Sequence, residues 1–445
     1  MRFSMPRHEF AVLFAVLLTV AAGNTALQTV LPAIARVIQI PDLLVAIIFS
    51  FSALLWTFSA PYWARQSDIR GRRRLMEVGV IGFGVSMLGC GIVILAGLKG
   101  LLVPVTTFVL FATLRSLFGI FGSASNPAAQ AYVAARTSES ERTNALSSLS
   151  SAFGLGTIIG PAIAPLFIIG AVGLAGPLFA FATIAVFVLF AVRHWLPDDD
   201  PTHFPGAIGA AADATATPAR NHGAPASEPS VTGGATGGSL QAAAAGRGPR
   251  LSLRDPRIQP FMIFGFCSGS IQAATGQAMG FLIIDRLHGS ALAAQKEIAI
   301  VFMAGAGATL LAQWGLIPLF RMTPPMLIRW GTGIAAIGTA GVALSHDFYT
   351  LILAFALSSL GYGFARPGFT AGASLAVGRS EQGGVAGAVT SVNGSCFVFA
   401  PAIGIGLYEV GATLPYMLGA GALTLLVIYC LTNKALSTEP VLTEE

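Results

Sequence analysis

Charge is scarce in this chain. Only 10% of its 445 residues are Asp, Glu, Lys or Arg, 54% are hydrophobic, and the mean hydropathy is +0.74. A soluble domain of this length needs more charge to cover its surface, which excludes an ordinary globular protein. Cysteine is also scarce. Cys90, Cys267, Cys396 and Cys430 lie far apart, each inside an apolar run, so neither a metal site nor a disulfide framework is expected. No phosphate-binding loop and no nucleophile–base pair stands out, so catalytic residues, cofactors and an enzyme activity are not expected. Carboxylates are missing from the middle of the apolar runs: Asp42, Asp285, Glu297 and Glu409 sit near one set of ends and Glu77 near the other. The net charge of +5 does not point to nucleic acid, because most basic residues fall in short segments between apolar runs.

Those apolar runs dominate the sequence. Twelve are long enough for a hydrocarbon core of about 30 Å. Their limits are Phe10–Ile34, Leu43–Trp63, Leu75–Ala96, Val103–Tyr132, Ala145–Ile169 and Gly173–Val192 in the first half. The second half gives Phe261–Ile284, Ile298–Phe320, Met326–Leu344, Tyr349–Ala376, Val385–Tyr408 and Leu414–Leu431. The first run continues too far for a signal-peptide core and reads as a membrane span. The fourth and tenth exceed what a membrane requires, which predicts tilt or extension into water.

Nineteen Lys and Arg residues fall on the side of the N-terminus and four on the other, so both termini are expected in the cytoplasm. Between the halves, residues 196–256 change to Ala, Gly, Pro, Thr and Ser, too little apolar surface to offset ordering entropy. The expected organisation is a six-helix bundle over 1–195, a disordered cytoplasmic linker over 196–256, a second bundle over 257–434 and a tail over 435–445. A shift of 240 residues superposes Ser151 on Ser391, Gly154 on Gly394, Pro161-Ala162-Ile163 on Pro401-Ala402-Ile403, and Pro127 on Pro367. That predicts parallel repeats. The expected fold class is therefore an all-α integral membrane protein of twelve helices in two six-helix pseudo-repeats.

Three motifs carry a resemblance. Between the second and third runs lies Asp68-x-x-Gly71-Arg72-Arg73, where Gly71 permits a tight turn. In the fourth run Arg115 sits near mid-membrane, where a guanidinium costs at least ~2.5 kcal/mol, with Gly119 on the same face. In the fifth is Gly156-Thr157-Ile158-Ile159-Gly160-Pro161, whose small residues allow close helix packing and whose proline can kink the span. Together they resemble the major facilitator superfamily, in its drug:proton antiporter (multidrug efflux) branch. The resemblance is partial: Ala64 and Gln66 depart from the first motif, Phe118 replaces a glutamine in the second, and Ala164-Pro165 replaces a glycine pair in the third. It implies that Asp68, Gly71, Arg72 and Arg73 form a gate against the start of the eleventh helix near Gly383-Gly384. It implies a coupling role for Arg115 and Gly119, and a seal at Gly156, Gly160 and Pro161.

Intramembrane polar residues supply a candidate cavity: Asn24, Gln28, Arg115, Gln272, Gln277, Arg366 and Asn393, with Gln313 further along. Asp285 is the candidate proton site. The expected function is secondary active export of a small organic compound by proton antiport with alternating access, the proton gradient being the energy source. Proton-linked uptake of an organic anion is the alternative, and a non-transporting sensor or scaffold acting through the central loop is a third. The expected partners are the bilayer, a small-molecule substrate and protons, without nucleic acid, and the chain is expected to be monomeric. Ala/Gly/Arg-rich usage points to a bacterial inner membrane.

Overall fold

The computed structural model describes residues 5–137, 139–198, 252–286, 293–377 and 381–437. Most of the expected 196–256 linker and the 435–445 tail lie outside the described residues. Every regular element among the described residues is helical.

The first half runs α1 (Arg7–Ile38), α2 (Asp42–Arg70), α3 (Arg72–Leu98), α4 (Pro104–Phe121), α5 (Ser125–Arg136), α6 (Glu139–Ile163) and α7 (Gly176–Trp195). The second runs α8 (Gln259–Arg286), α9 (Ala294–Leu310), α10 (Ile317–Phe320), α11 (Pro324–Leu344), α12 (Phe348–Leu375), α13 (Gln382–Val410), α14 (Leu414–Thr432) and α15 (Lys434–Ser437). With α4–α5 and α9–α10 each forming one rod, twelve rods result.

Two rods are interrupted, for local reasons. A 3₁₀ turn at Gly122–Ala124 divides α4 from α5, just before Pro127, which lacks an N–H and frees a carbonyl one turn back. The expected long fourth span is thus a bent one. A π-turn at Leu311–Leu316 precedes Pro318 and takes up the same mismatch in the eighth rod. Among the described residues, ten rods are long and apolar enough to cross a membrane by length and composition; the apolar part of α6, Ser151–Phe167, is shorter. The remaining rod, α8, carries Gln272, Gln277 and several Ser and Gly residues. Both exceptions pack inside the bundle, where polarity has partners that lipid would not offer.

The repeat is visible in matching contacts. Gly79 on α3 leaves room for the backbone nitrogen of Ser125, where a Cβ would lie 2.5 Å away. Gly331 on α11 does the same for the nitrogen of Ala365, at the same 2.5 Å; Ala365 is Ser125 shifted by 240. Likewise α6 packs along α1 and α13 along α8. Across the middle, α2 packs on α13 and α6 on α9.

One face, here the basic face, gathers the α2–α3 turn, the helix ends nearest the chain termini, the end of α7 and the start of α8. Arg73 donates to the Arg193 carbonyl at 2.8 Å and pairs with Glu77, and Arg257 binds Asp255 and Glu381 at 2.8 Å each. Arg329 reaches the Ser437 carbonyl. Toward the opposite, far face the halves share one apolar core, which the second half joins through Met279–Ile284, Val301, Phe355, Ile405 and Tyr408. On the basic side Phe261, Phe264, Val385 and Leu426 form a cluster within the second half alone. The halves therefore pack together toward the far face.

At that face Asp347 caps α12, accepting from the Tyr349 and Thr350 N–H groups at 3.0 Å each. Those backbone bonds hold its carboxyl below the ordinary value. A lowered carboxylate stabilises the fold above its unfolded value and loses that contribution as pH falls through the folded one. Asp347→Ala should therefore lower the melting temperature at neutral pH. The gap to wild type should close below pH ~4, where the ordinary carboxylate protonates; a gap independent of pH would mean that the cap is not what is lost.

Candidate functional site

The buried polar groups fall into three clusters. The first surrounds Arg115 on α4. Its side chain is 2% exposed, one nitrogen donates to Asn24 Oδ1 of α1, and its guanidinium lies 4.2 Å from the Phe118 ring centroid and 5.7 Å from that of Phe49. Its Nε and Nη1 have no hydrogen-bond partner. A buried N–H left unmet costs about 1–3 kcal/mol and more when charged, a cost that an added acceptor would relieve. Gly119, one turn on, faces α2 instead: a Cβ there would lie 2.7 Å from the Ser52 carbonyl oxygen.

The second cluster ties three helices of the second half. Arg366 of α12 donates to Gln272 Oε1 of α8 at 3.1 Å and to Asn393 Oδ1 of α13 at 3.0 Å. Arg366-Pro367 occupies the repeat position of Asn126-Pro127 in the first half, where Asn126 instead accepts from Gln130. Next to it Gln272, Thr275, Thr339, Ser358, Tyr362 and Tyr416 line a small polar space, where the buried Tyr416 hydroxyl has no hydrogen-bond partner.

The third lies where α1, α6 and α9 meet. Gly156 leaves room for α1, a Cβ there falling 2.7 Å from the Leu18 carbonyl oxygen. At Gly160 a Cβ would overlap Thr25 Oγ1 and the Ala22 carbonyl oxygen. Pro161, Gln28, Thr25, Thr157 and Phe302 line a small polar space beside that contact.

Asn24 and Arg115 are thus brought together, as are Gln272, Arg366 and Asn393, while Gln28 joins Pro161. Gln277 and Gln313 are half-buried outside these clusters. Gly71 links α2 and α3 at φ +88°, a conformation glycine accepts readily. The side chain of Asp68 lies outside what the structure describes, and so does any contact of it with Gly383.

Sequence reading missed Glu9. It is 6% exposed on the first turn of α1 and accepts from the Tyr132 hydroxyl at 3.2 Å, with Arg136 stacked 3.8 Å over the Tyr132 ring. The signal was present: a carboxylate directly before the first apolar run, in helical phase with it. Sequence reading also placed Asp285 near a span end without its partners. Arg36 Nη2 bonds Asp285 Oδ2 and Asp42 Oδ2, each at 2.8 Å, and the Tyr408 hydroxyl donates to Asp285 Oδ2 at 2.5 Å.

Two six-helix halves, packed on each other and lined with buried polar clusters, have the architecture of a membrane transport protein. Residues 13–401 match the family model Major Facilitator Superfamily, and the chain belongs to that family. Its fold is similar to the crystal structure of the human organic anion transporter MFSD10 (TETRAN), with a TM-score of 0.62 at 17% identity, covering 96% of this chain and 100% of that one. It is also similar to a mutant of the nucleoside transporter NupG, with a TM-score of 0.66 at 11% identity, covering 94% and 98%. At such identities the likeness concerns the fold. No curated protein matches the sequence.

Proposed function

We propose that this protein is a secondary transporter of the inner membrane, termini in the cytoplasm, that exports a small organic compound in exchange for protons. The basic face is then the cytoplasmic one, in keeping with the excess of Lys and Arg there. The observation that carries the reading is the α1–α6 contact. Gly156 and Gly160 bring the two backbones together directly before Pro161, beside a polar space between the halves. This is the motif that resembles antiporters, and its packing suits a seal that must hold while the cavity is empty.

A second reading, uptake of an organic anion, is favoured by Arg115, a buried cation with two nitrogens that lack an acceptor. MFSD10 is described as an organic anion transporter. In either direction Arg115 and Arg366 favour a substrate with a carboxylate, phosphate or other acceptor group.

Everted vesicles with an acid interior, monitored by a quenched pH dye, test the proposal. Organic anions, organic cations and nucleosides should be added in turn. Export by exchange predicts that one class releases the quench with the wild type and not with empty vesicles. Substrate accumulation without proton movement would overturn exchange, and accumulation only in right-side-out vesicles would establish uptake.

A further inference from the structure

The far-face junction is built from four helices of both halves. Arg36 comes from α1, Asp42 from α2, Asp285 from α8, and Tyr408 and Glu409 from α13. One nitrogen of Arg36 serves both Asp42 and Asp285, at 2.8 Å each. Tyr408 donates to the same Asp285 oxygen, and Glu409 Oε1 accepts from the Leu43 N–H at 2.9 Å, capping the α2 N-terminus from the other half. Close packing holds these groups together: Arg36 lies 5.7 Å over the Phe281 ring, and Gly280 presses on Pro32, where a Cβ would sit 2.6 Å away.

The charges do not balance. Three carboxylates face one guanidinium and the partial positive end of α2, worth about half a charge. Neighbouring Arg286 is turned away, bonded to the carbonyls of Val342, Ala343 and Ser345. Among the described residues, the other ionisable groups of this face are Lys99 after α3, Lys296 and Glu297 at the start of α9, His346 and Asp347 before α12, and the buried Tyr416 of α14 beside Tyr408 and Arg286; Lys99, Lys296, His346 and Asp347 are exposed. Asp42 is 8% exposed, so water screens its repulsion from Asp285 poorly. Parting the halves would separate Asp42 from Asp285 and Glu409, which are already exposed, and return the buried Asp42 to water. A proton is therefore held more tightly when this face is closed than when it is open, and that difference in affinity is what coupling requires.

We infer that the Asp42–Arg36–Asp285 junction is the site that takes up the coupling proton. The inference rests on the proton-exchange reading above and names the residues through which it works. Uptake from the far side closes the far face and turns the cavity toward the basic face; the proton then leaves to the basic side past Thr29 and Gln28, which line the polar space on the same helix as Arg36, and its loss lets the far face open. The coupling group is thus a shared inter-half junction at the end of the pathway, so no carboxylate deep in a span is required.

The test needs no substrate. Spin labels at Lys99→Cys and Tyr349→Cys, both exposed and on opposite halves of the far face, report its closure in the full chain in lipid nanodiscs, in a Cys267→Ala background. The short-distance population should rise as pH falls from 9 to 5, its ratio to the open form changing by up to about tenfold per pH unit for one proton. Asp42→Asn and Asp285→Asn should each keep the face closed and flatten that dependence. Arg36→Gln should open it at high pH and leave closure to low pH. A flat wild-type profile would overturn the inference, as would an unaltered closed population in Arg36→Gln. So would a dependence that survives in the double Asn variant and disappears in Glu9→Gln. Gradient-driven transport together with a flat profile would remove this assignment and leave proton exchange standing. A titrating junction in a protein whose transport ignores the gradient would remove proton exchange instead.

Discussion

Arg115→Met should reduce transport by at least about tenfold while leaving the protein as stable as wild type. A structural arginine would behave in the opposite way. Arg115 gives up most of its hydration and recovers one hydrogen bond to Asn24 and a stack on Phe118, which is worth about 0.5–2 kcal/mol. Its Nε and Nη1 have no partner. Replacing a poorly compensated buried charge by an apolar side chain of similar volume is often neutral or stabilising, by about 1–4 kcal/mol for buried ion pairs. Losing the Asn24 bond costs about 1–3 kcal/mol in return. The two effects nearly cancel, so the melting temperature should stay within a few degrees of wild type. Thermal unfolding in detergent and transport in proteoliposomes, measured on one preparation, separate the cases. Arg115→Lys should recover part of the activity if charge alone matters, and little if the planar fork is needed. A large fall in melting temperature with Arg115→Met would make the arginine structural and remove it from the transport path.

The second large effect is expected at Gly160. Alanine there would place a methyl group against Thr25 Oγ1 and the Ala22 carbonyl oxygen. The oxygen of Ala22 is backbone and cannot turn aside, so α1 and α6 must separate. Overpacking of this kind costs about 1–3 kcal/mol, and membrane helices rely on such close approach because lipid provides little drive for their association. Gly160→Ala should lower the melting temperature and cut transport at least about tenfold. Adding Thr25→Ala removes the side-chain half of the clash and should recover part of both losses. The two substitutions are then non-additive, as expected for residues in contact. Full activity in Gly160→Ala would show that the close α1–α6 approach is not needed for the transport cycle.

Much of the architecture was legible in the sequence, because in a membrane hydropathy and charge placement act locally and strongly. Twelve runs became twelve rods, and the repeat reappears as the matched contacts of Gly79 with Ser125 and Gly331 with Ala365. Gly71 turns between α2 and α3 with the positive φ that its place in the motif implied. Span ends and interruptions were less legible. The break at Gly122–Ala124 and the π-turn at Leu311–Leu316 depend on how freed carbonyls near Pro127 and Pro318 find space, and hydropathy does not register that.

The sequence by itself determined that this chain lives in a membrane, that it consists of two related six-helix halves, and which few polar residues interrupt its spans. Those properties follow from transfer free energy, which each segment carries alone. Only the tertiary structure decided which of those residues meet. Arg115 joins Asn24 across 91 positions and Arg366 joins Gln272 across 94, while Arg36 reaches Asp285 across 249. It also separated Gln28 from Asn24, which share a helix face in sequence but serve different clusters. Pairing between distant helices is fixed by small-residue contacts such as Gly160 on Ala22 and Gly280 on Pro32. Those contacts depend on the shapes of two surfaces at once, and no single segment encodes both.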